Sequence, residues 1–233
     1  MSTYRNLNPA LIVQTINQLR DRIQERFPES SLAKVAAELK EIGDQAVERS
    51  DWIARPHIPL RLGIAGLLFL MVLVGATAVM NIDLPARLQS FAELVQVSES
   101  GINTLVFFGA GIAFLFTIES RIKRKRALNA IHELRSLAHI IDMHQLTKDP
   151  DTVRGLGPST KSSPKRTMTS FELSRYLDYC SEMLSMIGKI AALYVQHFND
   201  PVVLGAVDQI EDLTTSLSRK VWQKIMIINQ NAE

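Results

Sequence analysis

One cysteine, Cys180, occurs in 233 residues. No internal disulfide can form, which excludes a disulfide-stapled scaffold and fits a reducing compartment or indifference to redox state. The chain has no P-loop, GxGxxG, GxSxG, HExxH or CxxC pattern. Nucleotide-binding, serine-hydrolase, zinc-protease and thiol-redox chemistries are therefore unsupported by motif. No segment alternates apolar and polar residues between turn signals, and no internal repeat is found, so an all-α chain is expected. The opening MSTYRNLNPA is polar and is not expected to act as a secretory signal.

Charge is absent from two places. Residues 62–80, LGIAGLLFLMVLVGATAVM, and residues 102–118, INTLVFFGAGIAFLFTI, contain no Asp, Glu, Lys or Arg. At helical rise the first is about 28 Å long, close to the roughly 30 Å hydrocarbon core of a bilayer. The second is at the short end of the usual range for a span. A buried helix pair in a soluble protein is the competing reading, but core helices rarely run so long without a charge. Two membrane spans are expected, with a connector over 81–101. Pro85, Leu88, Phe91, Ala92, Leu94 and Val95 suit either a short interfacial helix or a surface loop there.

The formal net charge of +2 hides a basic block. Residues 121–167 carry eleven positive and four negative charges, whereas the connector has only Arg87 as a cation. Arg55 and Arg61 precede the first span, and Arg121, Lys123, Arg124, Lys125 and Arg126 follow the second. The positive-inside rule then puts both termini in the cytoplasm and the connector outside, in a plasma (inner) membrane. The basic run reads as a topology signal that also contacts anionic lipid headgroups. Nucleic acid is not an expected partner, because no aromatic interleaves the cations.

Elsewhere the pattern is helical. Asn8 caps and Pro9 starts a helix with Leu11, Ile12, Ile16, Leu19, Ile23 and Phe27 on one face. Ser30 or Ser31 caps a second, with a stripe of Leu32, Val35, Leu39, Ile42, Ala46 and Ile53. No Pro occurs from Ile102 to Asp149, so one long helix should leave the second span and reach about Leu146. Ala127, Ile131, Leu134, Ala138 and Ile141 recur at four and three, as in a coiled-coil seam. Residues 147–168 are a polar connector with Pro and Gly, read as a mobile loop. Thr169 with Glu172 forms a capping box ahead of Leu173, Tyr176, Leu177, Cys180, Met183, Leu184, Ile187, Ala191, Tyr194 and Phe198. Asp200 and Pro201 open the last helix, with Val203, Val207, Ile210, Leu213, Leu217, Val221, Ile225 and Ile228 on one side. The expectation is an N-terminal cytoplasmic helical part (1–58), a transmembrane hairpin (59–120), and C-terminal cytoplasmic helices (121–233) that join the N-terminal ones in one bundle.

His132, Arg135, His139 and Asp142 fall on one stripe beside the apolar seam. Metal or proton chemistry, a polar network that fixes helix register, and a solvated face are the three readings. One helix supplies two ligands at most in good geometry, so no metal or cofactor is expected. His132 to Leu137, HELRSL, resembles the phosphoacceptor box of sensor histidine kinases, which opens a two-helix dimerisation unit below a membrane span. The resemblance covers six residues and has Leu137 where that box usually has Pro. The 101 residues after His132 show no Gly-rich or Asn-bearing ATP-binding pattern, which excludes a complete kinase. A phosphoacceptor without its kinase domain stays as the alternative, and similarity by chance in a charged helix is the expected account. Cys180, on an apolar helix face, reads as structural. Gly109 with Ala113, and Gly63 with Gly66, would let helices pack closely, within the hairpin or between protomers. No ionisable residue lies inside either span, which disfavours a transporter; Thr77, Thr104 and Thr117 are the candidate polar lining of a pore.

The expected function is a non-enzymatic, self-associating membrane scaffold that binds an unidentified cytoplasmic protein, with the charged face around Arg175, Asp178 and Glu182 as a contact surface or a solvated one. The alternative is an oligomeric ion channel or membrane-permeabilising effector. Two-span effectors of bacterial immune systems are similar in general layout. A third expectation, an enzyme working through the His132–Asp142 stripe, trails both.

Overall fold

The computed structural model describes residues 6–81, 91–148, 150, 161–162 and 168–230. The chain is all-helical across them: α1 (Pro9–Arg26), α2 (Ser31–Ala54), α3 (Ile58–Asn81), α4 (Phe91–Leu146), α5 (Ser170–Val195) and α6 (Pro201–Asn229). They form two compact units, one of residues 1–54 with 124–233, the other of residues 55–123.

The first unit is a helical bundle with a continuous apolar core. Its helix starts follow from their caps. Asn8 accepts from the backbone N–H groups of Ala10 and Leu11. Ser30, rather than Ser31, takes the cap of α2, accepting from Ala33 N–H at 3.1 Å. Thr169 and Glu172 make the reciprocal capping box, and Asp200 accepts from Val202 and Val203 ahead of Pro201. Between α1 and α2 the chain turns through Glu29, which has φ of 61°. There α1 and α2 run close together: a Cβ on Gly43 would stand 2.9 Å from Ile16 Cδ1.

Hydrogen bonds set the helix directions. Leu7 N–H donates to Gln196, and Arg22 to Glu182, so α1 is antiparallel to α5. Ser31 meets His144 and Arg49 meets Glu133, so α2 is antiparallel to this part of α4. Arg124 with Asp200, Arg135 with Gln209, and Lys224 with the Gln145 carbonyl run α6 parallel to it. The core holds the expected stripes of α2, α4 and α6, save Leu213, which is partly buried. Two corrections apply. Leu11 is exposed, because the buried stripe of α1 is narrower than the expected face and holds only Ile12, Ile16, Leu19 and Ile23 of that helix. The buried face of α5 is wider than one stripe, adding Tyr179, Ile190 and Leu193, because α1, α2 and α6 all pack on it.

The second unit contains α3 and the N-terminal part of α4. The helix leading to the second apolar block begins at Phe91, so residues 91–101 are its first turns and not a loop. Pro85, Arg87 and Leu88 of the connector lie outside the described residues, as does most of the polar connector 147–168 with Lys165 and Arg166.

Asp200 carries a measurable share of bundle stability. Burial alone would raise its carboxyl, but the Arg124 guanidinium and the Val203 and Val202 N–H groups outweigh that and hold it below the usual carboxylate range. A depressed acid stabilises the fold above its unfolded value and loses that contribution as pH falls through it. The unfolding temperature should therefore fall as pH drops below about 3.9. Asp200→Asn should lower stability at neutral pH and flatten the acid limb, while Asp200→Ala should cost about 1 kcal/mol more through loss of the cap. An acid limb unchanged by Asp200→Asn would show that other carboxylates set it.

Candidate functional site

The second unit presents largely exposed apolar helices. Its two apolar helices are long and apolar enough to cross a membrane, and 6% and 0% of their apolar windows are buried. Phe69 and Phe107 are 71% and 79% exposed, and Val72, Leu105 and Val106 are similarly open. A contiguous exposed apolar surface of this kind marks a membrane or protein contact. Polar groups on these helices are satisfied locally: Thr77 donates to the Val74 carbonyl and Thr117 to that of Ala113. A Cβ on Gly63, Gly66 or Gly109 would meet nothing within 4 Å, so these small residues do not bring the two helices together within the chain.

What joins the helices at one end is Glu119, which is 8% exposed. Arg61, at the start of α3, donates from Nε and Nη2 to the two carboxylate oxygens, each at 3.2 Å. Lys123, one turn on, lies 3.1 Å away, and the backbone N–H of His57 also donates to this carboxylate. The Glu119–Lys123 spacing of four is readable in sequence. The Arg61 contact is not, because it depends on how the two helices pair.

The basic run is divided by function. Lys123 serves Glu119. Arg124 forks onto Asp200, which is 6% exposed, with contacts of 2.8–3.1 Å. The Arg126 guanidinium stacks on the indole of Trp52, 3.6 Å from the ring centroid. Arg121 and Lys125 are exposed.

The histidine stripe does not converge on one point. His132, beside Glu133 and Ser136, borders a cleft of about 360 Å³ against α2, where Glu38, Glu41 and Arg49 face it. Arg135 and His139 border a separate cleft of about 400 Å³ against Gln209, Asp212 and Ser216 of α6. Arg135 donates to Gln209, and Asp142 accepts from Gln145. Among the described residues no three His, Cys, Asp or Glu side chains could hold a metal ion.

On α5 the charged face is largely engaged. Arg22 of α1 pairs with Glu182, Arg175 pairs with Asp178, and both arginines lie over the Tyr179 ring. Cys180 is buried, and burial pushes its thiol up to about 12. Such a thiol is neutral at physiological pH and a poor nucleophile.

Comparison of the chain with protein-family models, with curated proteins and with solved structures finds no match.

Two measurements follow. Arg61→Ala and Glu119→Ala should each lower the unfolding temperature of the detergent-solubilised protein. Their double variant should lose less than the sum, with a coupling of about 1 kcal/mol, because Arg61 is largely exposed. Additive losses would mean that the contact contributes nothing. Cys180 should resist a thiol reagent in the native protein and react on denaturation. Because its folded value is raised, stability should fall as pH climbs above the ordinary thiol range near about 8.5, and Cys180→Ala should soften that fall.

Proposed function

We propose that the protein is a two-span membrane scaffold: a transmembrane hairpin that anchors a cytoplasmic helical bundle, self-associates, and holds a cytoplasmic protein partner without catalysing a reaction. The observation that carries this reading is the contrast between the two units. The bundle closes a core of its own, with buried side chains on α1, α2, α4, α5 and α6. The other unit leaves its apolar helix surfaces bare. A chain built this way is stable where lipid covers the second unit and water the first. Cations concentrate at residues 121–126 and are scarce between the spans, which favours cytoplasmic termini in a plasma membrane. The sealed thiol and the dispersed histidines favour a non-enzymatic role.

The second reading is an oligomeric channel or permeabilising effector. The open faces of Gly63, Gly66 and Gly109 favour it, since small residues let helices of neighbouring protomers approach closely.

Topology is testable on the native background, because Cys180 is buried. Gln96→Cys should label with an impermeant maleimide on intact cells, and Gln18→Cys only after lysis. The reverse pattern, or equal labelling of both, would falsify the orientation. Ion flux through liposomes holding the full-length protein separates the two functions. The scaffold reading expects no flux above a scrambled-span control from a correctly inserted oligomer. Flux above that control replaces it with the channel.

A further inference from the structure

We propose that Trp52 and Arg126 together form a binding site for the phosphate headgroup of an anionic phospholipid, an inference that rests on the two-span reading above. α2 delivers Trp52 two residues before its end, and α4 delivers Arg126 against it. At 3.6 Å from the centroid, this is the closest cation–ring contact among the described residues. Stacking occupies one flat face of the guanidinium and leaves its edge, where all five N–H donors lie, for another partner. Two cations of the same run are engaged by carboxylates, Lys123 by Glu119 and Arg124 by Asp200. Among the described residues Arg126 meets no carboxylate. An arginine desolvated on one side by an indole, with an unspent planar edge, matches the oxygens of a phosphate in a fork geometry.

The ring argues for a lipid as the source of that phosphate. Trp52 is 47% exposed, and an indole with one apolar body and one N–H donor is the side chain most suited to the membrane–water boundary. Spacing agrees. Arg126 follows Ile118 by eight residues, roughly 12 Å of helix. Side chains on a helix lean as a rule towards its N-terminus, which shortens the reach a long arginine needs. The headgroup layer itself is roughly 5–8 Å deep.

The chain has two tryptophans, Trp52 and Trp222, so Trp222→Phe makes Trp52 the sole indole reporter in the full-length protein. In phosphatidylcholine vesicles doped with phosphatidylglycerol, Trp52 emission should move to shorter wavelength and resist acrylamide quenching, relative to pure phosphatidylcholine. Arg126→Ala should abolish that response and reduce phosphatidylglycerol enrichment around the protein about fivefold. Arg126→Lys, which keeps the charge but loses the planar edge, should restore only part. Equal Trp52 emission in the two vesicles overturns the site without needing any change at Arg126, so a poorly folded variant does not blunt the test. The site is likewise overturned if Arg126→Ala leaves the response intact, or if inorganic phosphate or a short oligonucleotide reproduces it in pure phosphatidylcholine. Alkaline extraction of the same vesicles reads the membrane assignment separately. Protein released by alkali refutes the two-span reading, whereas retained protein with an unresponsive Trp52 refutes only the headgroup site.

Discussion

One uninterrupted run of helical hydrogen bonds, from Phe91 to Leu146, contributes to both compact units of this protein. No proline breaks it, and its glycines all lie in or before the apolar block. Along that single ladder the side chains change from bare apolar, through a cluster of cations, to a heptad-spaced core face. The helix itself is continuous, while the demands on its surface are opposite at its two ends. The other features follow from accommodating that change within the roughly two and a half turns between Ile118 and Ala127.

The cations illustrate how. Sequence presents RIKRKR as one basic patch, and a run of like charges on a helix is usually assigned as a whole. The structure separates it residue by residue. Lys123 faces Glu119, Arg124 crosses to the capping carboxylate of α6, and Arg126 lies flat on an indole. Asp200 thereby does two things, satisfying the orphan N–H groups of α6 and neutralising an arginine on α4, which ties a helix start to a helix-pairing register. Positive charge alone would make a basic patch, but Lys123, Arg124 and Arg126 each make a specific contact within the fold.

Much of the architecture was legible from residues alone, and the reasons are local. Asn8–Pro9, Thr169–Glu172 and Asp200–Pro201 mark helix starts by chemistry that acts within four residues. Stripes such as Leu134, Ala138 and Ile141 mark the core because a helix that buries one face must repeat with its own period. What was not legible depends on which helices meet. Tyr179 sits on the α5 face that a single-stripe reading leaves to solvent, yet it is almost fully buried because α1 covers it. Arg61–Glu119 and Trp52–Arg126 join residues 58 and 74 positions apart, and no spacing rule reaches that far. The His132–Asp142 stripe was correctly placed along one helix, but clefts on two sides divide it, a matter of what flanks α4 and not of the stripe itself.

The order of the helices along the chain also has a consequence for biosynthesis. α1 and α2 are made first and can pair with each other at once, since they are joined by a short turn through Glu29. Their remaining apolar surface is covered by α5, which begins at Ser170, after both apolar helices have been synthesised. At roughly 5–20 residues per second, ribosomes need about 7–28 s to make the intervening chain and α5. For that interval the nascent protein carries an unfinished helical hairpin while both apolar helices are being made. Completion of the core thus waits for α5, and a chain that stalls before it keeps an adhesive half-core exposed for chaperones and proteases to find.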